Sequence, residues 1–224
     1  MPGARWHSES DRRWPGSAVR VRGQADTHQM NIADRRPMPL LDHFSWIAPY
    51  YDRVFRLTDV EPLMTRVAPE SHQRLLDVGG GTGRVAERFV GSVSQVYILD
   101  PSPAMLRQGR RKGLRITQGE SERLPFRTGA FDRIIVVDAF HHLRDQRVAV
   151  QELMRVLAPG GRLVIEEPDI GHWGVKLIAL GEKAALMRSQ FQAPEAVQAM
   201  FEKVGGLTRV ERWGYTGWVI VEKG

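Results

Sequence analysis

The chain contains no cysteine among its 224 residues. This absence excludes disulfides, thiolate-bound zinc and cysteine nucleophiles, and it fits a reducing compartment. No apolar run is long enough to span a bilayer, and the amino terminus lacks the charged-then-apolar order of a secretory signal. The sequence therefore predicts a cytoplasmic protein, for which peripheral contact with a membrane stays open.

Charge is biased toward one sign, because the formal net charge is +6. Residues 1–37 hold seven Arg against four acidic residues and so contribute +3 of it. They show no sustained helix or strand period, and we predict a disordered or loosely docked basic tail. The remaining charge is scattered, which argues against nucleic acid as the partner. We expect one domain over residues 38–224.

Strand and helix signals alternate from about residue 40 onward. We predict an aromatic helix at 44–55, strands at 75–78, 95–100, 115–119, 133–139 and 162–168, and helices at 84–91, 101–113, 145–157 and 194–206. The turn 158–161 stops the helix that precedes the last of these strands. Two final strands follow with little chain between them, so they must pair antiparallel. The predicted fold class is α/β, a Rossmann-like three-layer sandwich with a seven-stranded, mostly parallel sheet and an antiparallel C-terminal hairpin.

A glycine-rich loop follows the first of these strands, in the stretch LLDVGGGTGRVA at 75–86. No Lys-Ser or Lys-Thr follows the glycines, so the loop is not a Walker A motif, and the third glycine of a dinucleotide loop would fall at Arg84. Glycines allow close approach to the backbone, and Asp77 can offset a positive charge. The loop alone is also compatible with a tight turn that binds nothing. Asp100 ends the next strand, where a carboxylate either meets ribose hydroxyls or caps the following helix.

One further motif precedes the glycine loop, and four come after it along the chain. They are SWIAPYYD (45–52), GESERLPF (119–126), FDR (131–133), DAFHHL (138–143) and ELMRVLAPGG (152–161). With the glycine loop, this set resembles the class I S-adenosylmethionine (SAM)-dependent methyltransferases of the UbiE type. Two positions depart from the family pattern: Glu120 stands for Asp and Ser121 for Ala, in the segment that meets adenine in the family.

The resemblance implies SAM as the cofactor and S-adenosylhomocysteine as its product. It implies contacts of Asp77 and the loop with the methionine part, of Asp100 with the ribose, and of the 120–121 segment with adenine. The implied cofactor-binding residues are Tyr51, Asp77, Gly79, Gly81, Thr82, Gly83, Asp100, Pro101, Glu120, Ser121, Val137 and Asp138.

The acceptor side is less defined by the sequence. His141 and His142 are the candidate general bases, since histidine titrates near neutrality, although packing or surface roles are an alternative. Glu166, Glu167 and Asp169 end a strand at the same edge, near His172, but their spacing does not enforce a metal site and we assign no metal.

Residues 170–192 are predicted to form a helical substrate lid. Their apolar stripe fits either core packing or a lid over a hydrophobic acceptor, and it consists of Trp173, Leu177, Leu180, Ala184, Met187 and Phe191. We therefore expect a small, apolar acceptor, and the resemblance implies C-methylation of a quinone precursor. The alternatives are N- or O-methylation of another small metabolite, an RNA or protein methyltransferase recruited by the basic tail, and a SAM-binding regulator without turnover.

Overall fold

The computed structural model describes residues 60–171 and 189–224. Several sequence predictions lie outside these ranges: the basic tail, the aromatic helix with Tyr51, His172, and the part of the lid between 172 and 188. None of the described helices is both long and apolar enough to cross a membrane.

Seven strands form one sheet within the described residues, in the order β3-β2-β1-β4-β5-β7-β6. The strands are β1 (Arg74–Val78), β2 (Gln95–Asp100), β3 (Arg115–Gln118), β4 (Phe131–Val137), β5 (Leu157–Pro168), β6 (Gly206–Trp213) and β7 (Thr216–Lys223). Strands β1 to β5 run parallel, and β7 lies antiparallel between β5 and β6. The predicted fold class is confirmed, including the C-terminal hairpin.

Helices cover both faces of this sheet: α1 (Glu61–Val67), α2 (Pro103–Arg111), α3 (Gln146–Val156) and α4 (Pro194–Glu202). Successive strand residues point to opposite faces, so Leu75 packs with α1 and α2 while Leu76 packs with α3 and α4. Both layers exclude water from the central strands. This double burial explains why β4 is a continuous apolar run rather than an alternating one.

Two local predictions differ from the structure. The predicted helix at 84–91 is wrong: the segment contains a single 3-10 turn at Ala86–Phe89, because its apolar residues fix the chain by packing without completing α-helical turns. The predicted turn at 158–161 lies inside β5 as a bulge, where pairing with β4 jumps from Phe131–Leu157 to Arg133–Arg162.

A buried guanidinium fastens α1 to the sheet. The Arg133 side chain, from β4, donates through Nε to the carbonyl oxygens of Val67 (2.9 Å) and Ala68 (3.2 Å) at the end of α1. It also donates through Nη2 to Ala68 O at 3.2 Å. The last carbonyls of a helix lack partners within the helix, so Arg133 satisfies acceptors that the fold buries.

We expect Arg133→Met to lower the free energy of unfolding by about 2–3 kcal/mol, because it leaves these carbonyls buried without a donor. Urea denaturation followed by circular dichroism measures the change. Arg127→Met, which removes an exposed arginine from a loop, is the matched control and should change stability little. Equal stability of the two variants would contradict the role given to Arg133.

Candidate functional site

The strand order changes direction between β1 and β4. The chain proceeds from β1 to β2 and β3 on one side, and it continues with β4 and β5 on the other. Open α/β sheets bind ligands in the crevice outside the carboxyl ends of the two strands at such a switch point. The predicted site residues of the described chain lie at, or shortly after, the carboxyl ends of β1, β2, β3 and β4, so the topology brings them to this one edge.

The glycines of the loop have different structural reasons. Gly79 and Gly83 both have φ of +73°, and an ideal Cβ would lie 2.5 Å from Ala139 Cβ at the first and 2.5 Å from Leu114 Cδ1 at the second. Gly81 also has a positive φ, of +54°, but the nearest atom to its Cβ position is Asp100 Oδ2 at 3.9 Å. Packing therefore requires the outer glycines, whereas at Gly81 only the positive φ, and no close contact, favours glycine.

The loop directs its backbone amides into the protein. Gly79 and Gly80 donate to Leu99 O at 2.8 and 3.3 Å, and Gly83 donates to Gly80 O at 2.8 Å. Gly81 donates to Asp100 Oδ2 at 3.0 Å. In phosphate-binding loops the corresponding N–H groups point at the anion. This loop is therefore not built as a phosphate cradle, in agreement with the missing nucleotide-binding motifs.

Asp100 holds the loop and the start of α2 with one carboxylate. Its Oδ2 accepts from Gly81, and its Oδ1 accepts from the Ser102 amide at 2.7 Å. The sequence left open that Asp100 caps the following helix. The N-cap of α2 is instead Ser102, whose hydroxyl accepts from Met105 N at 3.4 Å, and Asp100 holds the Ser102 amide. A carboxylate oxygen can accept more than one hydrogen bond, so this arrangement is also compatible with ribose hydroxyls.

Asp77 is a carboxyl group buried beneath the loop. Its Oδ2 is fully buried and has no hydrogen-bond partner among the described residues. Burial raises the pKa of Asp77 to about 7; the positive charge of Arg84 lowers that pKa, and the charge of Asp100 raises it. A buried carboxylate without a partner is unfavourable, and a cationic ligand group nearby would offset that cost.

An ion pair spans the crevice between β1 and β4. Arg84, directly after the loop, donates through Nη2 to Asp138 Oδ2 at 3.1 Å. Asp138 follows β4 with φ of +51°, a left-handed conformation that is unusual for a residue with a Cβ. Its amide donates to Glu166 O at 3.0 Å, and Glu166 Oε2 accepts from Trp218 Nε1 at 2.7 Å. Burial raises the pKa of Glu166.

Side chains of α3 hydrogen-bond to the backbone of the segment after β3. Arg155 donates to Phe126 O at 2.8 Å and Leu124 O at 2.9 Å, while Glu152 accepts from Leu124 N at 2.8 Å and pairs with Arg155. Phe126 packs edge-on against Phe131 with ring centroids 4.8 Å apart. The ELMRVL motif thus fixes the backbone that carries two of the predicted residues. Of these, Glu120 is exposed, whereas Ser121 is buried and donates to Glu122 at 3.0 Å.

His141 lies in a 3-10 turn after β4 and pairs with Glu167 of β5. Its Nδ1 contacts Glu167 Oε2, and Glu167 Oε1 accepts the amides of Ala139 at 2.9 Å and Phe140 at 2.7 Å. The imidazole stacks on Phe191 with ring centroids 4.2 Å apart. Strand, turn and the end of the predicted lid therefore meet at this histidine.

His142 has a different environment from its neighbour. Burial, and then the proximity of His141, lower its pKa to about 4. Its Nδ1 lies 3.4 Å from Ser189 Oγ. His142 is consequently neutral at physiological pH, and it is a weaker base than an ordinary histidine.

The three carboxylates predicted at the end of β5 have separate partners. Glu166 accepts from Trp218, and Glu167 accepts from the amides of the 3-10 turn that carries His141. Asp169 accepts from Gly171 N at 2.9 Å and from Arg212 Nε at 2.8 Å. Across residues 60–171 and 189–224, no group of three His, Cys, Asp or Glu side chains is placed to hold a metal ion.

Comparisons with known proteins agree with this geometry. A family profile described as "Methyltransferase domain" matches residues 76–165. The chain is similar to the UbiE ubiquinone/menaquinone biosynthesis C-methyltransferase of Coxiella burnetii, at 36% identity over 115 residues, which span 46% of each chain. It is also 34% identical over 206 residues to the demethylmenaquinone methyltransferase of Thermus thermophilus, covering 75% of this chain and 93% of that one. The chain belongs to the UbiE-like class I SAM-dependent methyltransferases.

A solved structure of a SAM-dependent methyltransferase from Thermotoga maritima, described as a possible histamine N-methyltransferase, shares the fold of this UbiE-like chain. The TM-score is 0.68 at 21% identity, over 81% of this chain and 98% of that one.

SAM is the cofactor of this family, and the residues of the crevice fit it. SAM carries an ammonium, a sulfonium and a carboxylate but no phosphate. The loop presents no phosphate cradle, and the Asp77 oxygen without a hydrogen-bond partner suits a nearby cation.

Three residues at this edge had no specific role in the sequence interpretation. Arg84 stood only for a missing glycine, Glu167 was one of several edge carboxylates, and Phe191 belonged to a stripe of uncertain purpose. Their partners lie far away in sequence, as Arg84 and Asp138 do, so no local spacing reveals the contacts.

Asp77→Asn tests the buried carboxyl group. The folded chain holds the Asp77 proton up to about pH 7, whereas the unfolded chain releases it near pH 4, so wild-type stability falls as the pH rises between these values. At about pH 8, the variant without SAM should be more stable than wild type by about 2–4 kcal/mol, and the gain should shrink toward about pH 5.

The same variant should bind SAM about tenfold more weakly at about pH 8, because it lacks the charge that attracts the cation. Denaturation and isothermal titration calorimetry give the two quantities, with Glu87→Gln as an exposed control. A variant that is equally stable and binds equally well would contradict the role of Asp77.

Proposed function

We propose that this chain transfers a methyl group from SAM to a small hydrophobic acceptor, and that the acceptor is a quinone precursor methylated at a ring carbon. The observation that carries the proposal is the match to the Thermus demethylmenaquinone methyltransferase over 93% of its length. The match to the Coxiella enzyme spans 46% of that relative, about half of its length.

When bound, SAM supplies an electrophilic methyl group whose leaving thioether is neutral. The chain therefore has no leaving group to protonate. Its tasks are to align the acceptor and to accept a proton from it, and alignment alone provides much of the rate. An acceptor with a phenolic hydroxyl becomes nucleophilic at the neighbouring ring carbon once that proton is removed.

We assign the proton-accepting role to His141 rather than His142. Glu167 is held by two backbone amides and contacts His141 Nδ1. A carboxylate in that position favours the tautomer with the proton on Nδ1, which leaves the basic lone pair on Nε2. His142, with its pKa near 4, contributes a neutral wall beside it.

The cofactor-binding assignments remain proposals with structural support. Asp100 and Pro101 would face the ribose, Glu120 and Ser121 the adenine, and Asp77, Asp138 and the loop the methionine part. Thr82 and Val137 are buried within this framework and support the loop and the crevice. Tyr51 keeps its predicted role as a covering contact. Phe191, stacked on His141, adds the apolar surface that an aromatic acceptor requires.

Incubation with methyl-labelled SAM tests the acceptor. We expect label in a lipid-quinone fraction, in a methyl group bound to a ring carbon, and none in parallel incubations with RNA or with a polar metabolite pool. Label confined to the polar pool would overturn the quinone assignment and favour N- or O-methylation. Label in RNA alone would overturn a small-molecule acceptor, and SAM binding without label in any fraction would favour a regulator.

Glu167→Gln tests the base. A glutamine amide can still accept from the turn amides, but its NH2 group would donate to His141 Nδ1 and move the imidazole proton to Nε2. We expect kcat to fall by about a hundredfold or more with SAM affinity unchanged, as for the loss of a general base. His141→Asn should behave alike, whereas His72→Asn, at an exposed histidine, should not. Unchanged kcat in both site variants would remove His141 from the mechanism.

A further inference from the structure

The methionine part of SAM ends in a carboxylate, and the glycine loop offers it little. The amides of Gly79, Gly80, Gly81 and Gly83 all donate to acceptors inside the protein. A helix start or an amide nest is the usual backbone site for an anion, and here these four amides already have protein acceptors. This favours a side chain as the contact of the carboxylate.

Four charged side chains interact at the carboxyl ends of β1, β4 and β5, and we call them the crevice cluster: Asp77, Arg84, Asp138 and Glu166. Three are carboxyl groups, and Arg84 is the cationic member. Its guanidinium contacts Asp138 at 3.1 Å and acts electrostatically on both Asp77 and Glu166. The cluster thus has acidic groups for the ammonium and sulfonium, and Arg84 is its positive group. Arg66 also acts on Glu166, but its guanidinium lies over the Trp218 ring and pairs with Glu211.

We propose that Arg84 binds the carboxylate of the SAM methionine, with Asp138 holding the guanidinium in position. Arg84 directly follows the loop, and a Cβ at the central Gly81 would meet no atom closer than 3.9 Å. A guanidinium presents several N–H donors in one plane, so it can contact Asp138 and a second carboxylate together. The inference depends on the cofactor and is independent of which acceptor is methylated.

The conformation of Asp138 supports a binding role for this pair. A non-glycine residue in the left-handed region is strained and persists where the surroundings enforce it, most often at functional sites. The Asp138 amide donates to Glu166 O, and the Asp138 side chain is 45% exposed while its carboxylate contacts Arg84. The backbone thus presents Asp138 to the crevice instead of continuing β4.

Arg84 could instead serve only to connect the loop to the residue after β4. Comparing the binding of SAM with that of decarboxylated SAM distinguishes this structural role from a contact with the carboxylate. The two molecules share the adenosine, sulfonium and ammonium groups and differ by the carboxylate alone. A carboxylate contact affects SAM only, whereas a structural tie affects both ligands equally.

Isothermal titration calorimetry should show that the wild-type chain binds SAM about tenfold or more tightly than decarboxylated SAM, as expected for a charge-assisted contact. Arg84→Met should weaken SAM binding by a similar factor and leave decarboxylated SAM unchanged, so that the preference disappears. Arg88→Met, four residues later at an exposed position, is the matched control and should retain the preference.

Three outcomes would overturn the proposal: a wild type without preference, an Arg84→Met variant that keeps the preference, or one that loses affinity for both ligands alike. If Arg84→Met does not fold, as judged by thermal unfolding, Arg84→Lys decides instead. Lysine keeps the charge without the planar fork, so the preference should decrease with decarboxylated SAM unaffected, and a full preference in that variant would count against Arg84. These readouts measure binding, so they remain valid even if the proposed acceptor is wrong.

Discussion

The inward hydrogen bonds of the glycine-loop amides are the constraint on which the site depends. Because Gly79, Gly80, Gly81 and Gly83 donate to the protein, these bonds fix the shape of the loop. The same bonds withdraw the donors that a phosphate would need. Side chains, rather than backbone amides, must then recognise the charges of a ligand. A crevice of this kind suits a ligand with separate positive and negative groups.

Several unfavourable features lie at this crevice. Asp138 has a left-handed backbone, Asp77 buries a carboxyl oxygen without a partner among the described residues, and burial raises the pKa of Glu166. Elsewhere in the sheet, buried polar groups such as Arg133 have partners. The two packed layers fix the strand ends firmly enough to hold these groups in conformations that free chains avoid.

Much of the fold could be predicted because its signals are local. Apolar runs fixed the strands, and the short link between the last two fixed the hairpin as antiparallel. The prediction of an α-helix at 84–91 was wrong because helical spacing indicates only which side chains are buried. A 3-10 turn buries Ala86 and Phe89 just as well. Contacts across strands, such as Arg84 with Asp138 or His141 with Glu167, carry no local signal, since each residue alone fits several roles.

Helix α3 joins the two halves of the site, and this has a consequence for how such a protein diversifies. The helix begins just after the histidine turn, and its Glu152 and Arg155 hold the segment after β3. A change there perturbs the proposed cofactor and acceptor sides together. Gln146 of the same helix donates to Gln190 O at 2.8 Å, and the Gln190 amide donates to His141 O at 2.7 Å, so the segment that places Phe191 against His141 is fastened through its backbone. Side chains around 189–192 can therefore change the surface beside His141 while the backbone that carries them stays fixed.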